Sequence, residues 1–94
     1  MQNEVVHDQK DHKFYRIIDG EEAHLTYHMT DENVINFNHT YVPPAHRGQG
    51  YAAELVKYGL DFARQKNYSV IPSCSYVASF IRRYDEYEDL VNSK

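Results

Sequence analysis

Tryptophan is missing from this 94-residue chain, and cysteine occurs once, at Cys74. A single cysteine excludes an internal disulfide framework, so the fold must be held by packing. It also makes a reducing, cytoplasmic setting the expectation. A lone thiol is either a small buried hydrophobe or a reactive group. Long apolar runs are missing too. Nothing approaches the roughly 20 residues of a membrane-spanning helix, and the polar opening Met1-Gln2-Asn3-Glu4 leads into no apolar signal segment. Positive charge is scarce: 10 Lys and Arg stand against 14 Asp and Glu, a formal net charge of −4. That balance speaks against nucleic acid as a partner, which needs a basic surface. With only four glycines and three prolines, no low-complexity tract exists, and each of these residues marks a definite corner.

What is present reads as one domain spanning residues 1–94, with 1–12 expected to fray at a polar start. Lys13–Ile18 is short and rich in β-formers. Asp19-Gly20 is a strong hairpin signal. From Glu22 to Thr30 the chain alternates, with Ala23, Leu25, Tyr27 and Met29 on one face and Glu22, His24, Thr26 and His28 on the other. After the polar turn 30–33, Val34–Val42 forms a third strand, with Ile35, Phe37, His39 and Tyr41 on one face. Pro43 and Pro44 end it. Ala52, Leu55, Val56, Gly59, Leu60 and Ala63 then make one helical stripe. Asn67 suits its left-handed cap. Tyr68–Ile71 is a fourth strand, ended by Pro72. Ser75 could cap a second helix with Val77, Phe80, Ile81 and Tyr84 inward. The acidic end 85–91 reads as a solvated face with Tyr87, Leu90 and Val91 available to dock. The class is α+β, with helices on a mixed, mostly antiparallel sheet.

The corner Arg47-Gly48-Gln49-Gly50 stands where a strand becomes a helix. Backbone amides there have no intrahelical acceptor and lie at the positive end of the helix dipole. A pyrophosphate fits such a place, glycine permits its close approach, and Arg47 adds a charge that never titrates. The plainer alternative is a tight turn beside an incidental arginine. No Gly-Lys-Ser/Thr ending marks a P-loop. Gly48-x-Gly50-x-x-Ala53 satisfies the weak dinucleotide fingerprint, but a hairpin series precedes it and Ser69-Val70-Ile71 stands where an acidic residue belongs.

At Arg47-Gly48-Gln49-Gly50-Tyr51-Ala52 the sequence resembles the acetyl-CoA motif of the GNAT N-acetyltransferase superfamily, Gln/Arg-x-x-Gly-x-Gly/Ala. With His39-Thr40-x-Val42-Pro43-Pro44 and Pro72-x-Cys74-x-Tyr76-Val77, the likeness is to its short, single-domain YjdJ-type branch, from about Phe14 to Val91. The resemblance implies a sheet splayed between the third and fourth of these strands, with acetyl-CoA in the gap. The pyrophosphate would meet the amides of Arg47, Gly48, Gln49, Gly50, Tyr51 and Ala52. The pantetheine arm would pair near Tyr41 and Val42. The family's helical segment after its first strand is missing, because Asp19-Gly20 turns directly into the next strand, and the acceptor side is correspondingly open.

The implied activity is acetyl-CoA-dependent N-acetylation of a small-molecule or peptide amine. The alternative is a non-catalytic acyl-CoA-binding or protein-interaction module. The family's Asn-x-x-Ala-x-x-x-Tyr proton donor, laid on Ser75 and Ala78, falls on Arg82. Tyr76 and Tyr84 are the substitutes. The resemblance places Cys74 near the thioester, where a thiol beside a helix N-terminus could accept the acetyl group or protonate the leaving thiolate. His39 is a candidate base for the acceptor or for Cys74, against a purely structural histidine. His24 and His28 share a face with Glu22, but no cysteine or acidic pair completes a metal site. His7 and His12 fall in the loose start, and His46 flanks the corner, expected exposed.

Overall fold

A computed structural model describes residues 4–91. The expected fraying of residues 1–3 lies outside the described residues. Five strands lie side by side in chain order: β1 (Val6–Asp8), β2 (Lys13–Ile18), β3 (Glu21–Asp31), β4 (Val34–Tyr41) and β5 (Ser69–Pro72). The first four alternate in direction, and β5 runs parallel to β4. Helix α1 (Tyr51–Lys66) carries the chain from β4 across to β5, and α2 (Ser75–Arg83) and the short α3 (Glu88–Val91) follow. This is the mixed, mostly antiparallel α+β sheet that the sequence implies.

Local chemistry explains the joints. Asp19 and Gly20 both take positive φ, 51° and 81°. A two-residue turn of that hand matches the right-handed twist of its flanking strands. Helix α1 buries Leu55, Val56, Gly59, Leu60 and Ala63, then stops at left-handed Asn67, whose N–H reaches the Ala63 and Arg64 carbonyls. A Cβ at Gly59 would lie 2.9 Å from Leu25 Cδ2 and 3.0 Å from Phe37 Cε1, so α1 rests on the sheet at a separation suited to glycine. Phe14, Leu25, Phe37, Leu55, Val56 and Leu60 are fully buried in the layer between them. Each such side chain contributes about 1.5–3 kcal/mol.

Four expectations are corrected. First, the start is ordered from β1 onward. Val6, His7 and Asp8 pair with Tyr15, Phe14 and Lys13. The His7 ring stacks on Phe14 with centroids 4.2 Å apart, meets Phe62 at 4.5 Å, and sets Nε2 2.6 Å from the Tyr27 hydroxyl. One histidine therefore anchors a polar-looking segment. Second, β4 does not keep one face. Tyr27 pairs with Phe37 but Thr26 pairs with His39, so Asn38 is an extra residue, a β-bulge. Ile35 and Phe37 face the core before it; Thr40 and Val42 take that face after it. His39 and Tyr41 turn to the outer face, where their rings lie 6.0 and 5.5 Å from His24. Third, Tyr84 is 44% exposed rather than inward, and Tyr87 is buried instead. Fourth, the acidic end is only partly solvated: Arg64 grips the Asp89 carboxylate with both Nη atoms, at 3.0 and 2.9 Å, and the Glu86 carbonyl at 2.7 Å.

The bulge also opens the sheet. A bulge bends its strand and increases local twist. Strand β5 pairs only with Val34–Phe37, and the Cys74 N–H closes that ladder on the Phe37 carbonyl at 3.0 Å. From Asn38 onward β4 leaves its parallel neighbour, and α2 starts where β5 would have continued. Among the described residues, no helix is long and apolar enough to cross a membrane.

Candidate active site

Where β4 parts from its neighbour, a cleft of about 430 Å³ opens. The β4 edge at Thr40, Tyr41 and Val42 forms one side. The loop residues His46, Arg47, Gly48 and Gly50 and the first turn of α1, Tyr51 and Ala52, form the other, with Tyr76 of α2 at the rim. The expected residues Tyr41, Val42, Arg47, Gly48, Gly50, Tyr51 and Ala52 thus meet in one place. Gln49 does not join them; it lines a separate hollow with Arg16, Asp19 and Ala45.

Pro43 and Pro44 stiffen the entry, and a 3-10 turn at Pro44–His46 is closed by the His46 N–H on the Pro43 carbonyl at 2.9 Å. Gly48 and Gly50 then take φ of 80° and 90°, which reverses the chain into the helix. Arg47 does more than carry charge. Its Nε donates to the Val42 carbonyl at 2.8 Å, and its guanidinium lies 5.9 Å from the Tyr41 ring centre, tying the loop to β4. His46 is covered, not exposed: its side chain is 12% accessible, with Nε2 3.3 Å from Glu21 Oε1 and the ring edge-on to Tyr51. Glu54 is the first residue of α1 whose N–H finds an acceptor, the Gly50 carbonyl at 3.0 Å. The amides from Gly48 to Ala53 have none among the described residues, as a helix start requires.

Cys74 is the N-cap residue of α2 and does not itself line the cleft; it stands behind Thr40, which does. Its Sγ lies 3.3 Å from the Thr40 hydroxyl. Burial, the largest single influence, pushes the thiol pKa up. The Thr40 hydroxyl and the backbone N–H groups of Val77, Tyr76 and Thr40 together outweigh it, and the net direction is down. Thr40 was not legible as a site residue. Alternation places it opposite Phe37, and only the bulge brings it to the Cys74 side. The one trace in the sequence is the polar run Asn38-His39-Thr40 interrupting a strand.

His39 is not brought to Cys74. It is exposed on the outer face beside His24, whereas Thr40, its neighbour in the strand, holds the sulfur on the other face. Of the substitute proton donors, Tyr76 borders the cleft, and burial raises its pKa with help from Tyr84. Tyr84 instead borders a groove with Ala53, Phe80 and Arg83. Arg82, at the position of the family tyrosine, turns back to Ser79 Oγ at 3.2 Å. His24 and His28 are held by Glu22 and Asn38, at 3.0 and 3.1 Å.

Comparison with known proteins agrees with this geometry. The family model described as GCN5-related N-acetyl-transferase matches residues 13–90. Protein NATD1 of Gallus gallus is 31% identical over 81 residues, which cover 84% of this chain and 74% of that one. Protein NATD1 of Homo sapiens is 30% identical over 80 residues, covering 83% and 71%. The NMR solution structure of a GCN5-like protein from Staphylococcus aureus superposes with a TM-score of 0.76 at 33% identity, covering 95% of this chain and 87% of that one. A splayed mixed sheet, a glycine corner at a helix start and a family match over nearly all the described residues lead to one conclusion: the chain belongs to the GCN5-related N-acetyltransferase family.

Proposed function

We propose that the protein transfers the acetyl group of acetyl-CoA to an amine borne by a small molecule or a peptide. One observation carries the reading. At Gly48 and Gly50 an added Cβ would meet nothing within 4 Å, and the amides beside them have no backbone acceptor among the described residues. The corner is therefore both open and polar in the sense that an anion needs. The amides of Gly48, Gly50, Tyr51 and Ala52 would hold the pyrophosphate. The β4 edge at Tyr41 and Val42 would take the pantetheine arm. Arg47 already donates to Val42 O, so its part is to shape the loop as well as to add charge. Gln49 contributes through its backbone.

The donor supplies a thioester, and the residues around Cys74 suit two routes. In the covalent route Cys74 Sγ gives up its proton and bonds to the acetyl carbon. The donor C–S bond breaks, and its electron pair leaves on the CoA sulfur, which is protonated. An amine then bonds to that carbon, the bond from the acyl carbon to Cys74 Sγ breaks with its electron pair left on the sulfur, and the amine proton passes to solvent. In the direct route the amine attacks the thioester itself, and Cys74 or Tyr76 protonates the leaving sulfur. His39, on the outer face away from Cys74, is not needed by either route, and the amine proton passes to solvent. One free thiol suits a reducing compartment, and the cytoplasm is the proposed location.

The test is to incubate the protein with acetyl-CoA and weigh it intact, beside Cys74→Ala. A mass gain of one acetyl group, absent in the variant and removed by an amine, supports the covalent route. Turnover on amines without an adduct supports direct transfer. A calorimetric titration showing no uptake of CoA removes both. Arg82 at the tyrosine position and the separation of His39 from Cys74 favour a second reading, a non-catalytic acyl-CoA-binding or protein-interaction module. Saturable CoA binding with no turnover on an amine panel selects it.

A further inference from the structure

The Cys74 sulfur has one side-chain hydrogen-bond partner among the described residues, Thr40. The Cys74 main chain is pinned on both sides, by its N–H on the Phe37 carbonyl at 3.0 Å and its carbonyl under the Ala78 N–H at 3.1 Å. That leaves the side chain free only to rotate about Cα–Cβ, and it packs partly against the core. On the α2 side the N–H groups of Tyr76 and Val77 are near enough to lower the thiol pKa, though Sγ makes no capping hydrogen bond to them. On the β4 side stands the Thr40 hydroxyl at 3.3 Å. Thr40 is β-branched, so its hydroxyl has few rotamers to choose from. It faces inward only because Asn38 shifts the register of β4 by one residue. It also borders the cleft itself.

We propose that Thr40 is the positioning residue for Cys74: its hydroxyl, at the edge of the cleft, fixes the place of Sγ beside it and stabilises the thiolate there by donating a hydrogen bond to it. This deepens the acetyl-transfer reading, which it takes as its frame. The hydroxyl can serve both protonation states, accepting from S–H and donating to S⁻. The bond to the anion is the stronger of the two, so the contact favours ionisation. The groups that act most on this sulfur are all neutral: the Thr40 hydroxyl and N–H from β4, and the Tyr76 and Val77 N–H groups from α2. The nearby ionisable side chains of the cleft wall are His46, Arg47, Tyr41, Tyr51 and Tyr76. None of them is among the main influences on the thiol. An activated cysteine built from neutral donors differs from one paired with a histidine. Its ionisation responds little to salt.

The experiment measures alkylation of Cys74 by iodoacetamide against pH, read by intact mass. The thiol loses its proton to solvent, sulfur bonds to the methylene carbon, and iodide leaves. Wild type is compared with Thr40→Val, which keeps the shape and removes the hydroxyl, and Thr40→Ser, which keeps the hydroxyl. The expected result is a profile moved to higher pH in Thr40→Val, with alkylation about threefold or more slower near neutrality. In Thr40→Ser the wild-type profile returns, and raising the salt concentration moves neither. Thr40→Ala gives the same comparison if the valine variant does not fold. Superimposable profiles for wild type and the hydroxyl-free variants overturn the proposal, as does a profile shifted equally by serine. Alkylation needs no acetyl-CoA. A failure of CoA to bind would therefore leave the Thr40 result standing, and a flat Thr40 result would leave CoA binding intact.

Discussion

Gly50 sits at the N-cap of α1 with φ 90° and ψ 6°, and no side chain caps the helix there. A left-handed conformation costs an L-residue about 1–2 kcal/mol. A methyl at this position would touch nothing in the protein, so the conformational cost is the whole expected stability loss. Gly50→Ala should lower stability by about 1 kcal/mol in urea denaturation. Its CoA affinity should fall by more, about tenfold or beyond, because the added methyl points into space that the ligand needs. Gly50→Asn separates the two effects, since asparagine tolerates the left-handed region. Stability should recover while affinity stays low. Calorimetric titration beside urea curves reads both. An asparagine variant that binds CoA like wild type would show that the glycine serves the turn alone.

β1 is three residues long, and beyond its ladder to β2 its ring contacts with the core come from His7. Burial pulls the His7 pKa below 6.5; Asp8 opposes this, and His12 and Lys66 reinforce it. The sign follows directly. The unfolded chain takes up this proton near pH 6.5, and the folded chain only at lower pH. The contribution is therefore complete above 6.5 and is lost as pH falls toward the folded value. Hydrogen exchange of the β1 amides should quicken from about pH 7 to about pH 5 beyond the intrinsic rate change, and His7→Phe should abolish the excess. Equal acid sensitivity in both proteins would assign it elsewhere. The same strand shows what a sequence hides. The Asp19-Gly20 turn, the apolar stripe of α1 and the Asn67 cap were legible because each is decided by neighbours within a few positions. β1 was not, because its hold comes from Phe14, Tyr27 and Phe62, far along the chain. The bulge at Asn38 was not legible either, because it exists only relative to the register of β3. With it went the face of His39 and the part played by Thr40. The glycine corner was legible as a run of residues, whereas the face of His39 was read from a parity that the fold breaks.

At the level of the whole chain, the cleft is walled by several elements. The β4 edge, the glycine loop and α1 supply most of its wall, and Tyr76 brings in α2. α2 in turn leans through Phe80 on Tyr87 of the 3-10 turn before α3, and the Tyr87 hydroxyl donates to Asp61 Oδ1 at 2.8 Å. A ligand bridging these parts stabilises the folded state by mass action. At a free concentration of about 100 times Kd the gain is about 2.7 kcal/mol. A domain of this size shifts its melting midpoint by about 4–8 °C per kcal/mol. Saturating CoA should therefore raise the midpoint by about 10–20 °C. Arg47→Ala, which cuts the tie from the loop to Val42, should lower the midpoint without ligand only slightly. It should remove much of the CoA-dependent rise, because the amides are then no longer held in a fixed array. Scanning fluorimetry across a CoA series reads both numbers. A ligand-induced rise that Arg47→Ala leaves whole would mean that the proline-stiffened turn and the two glycines hold the array without the arginine.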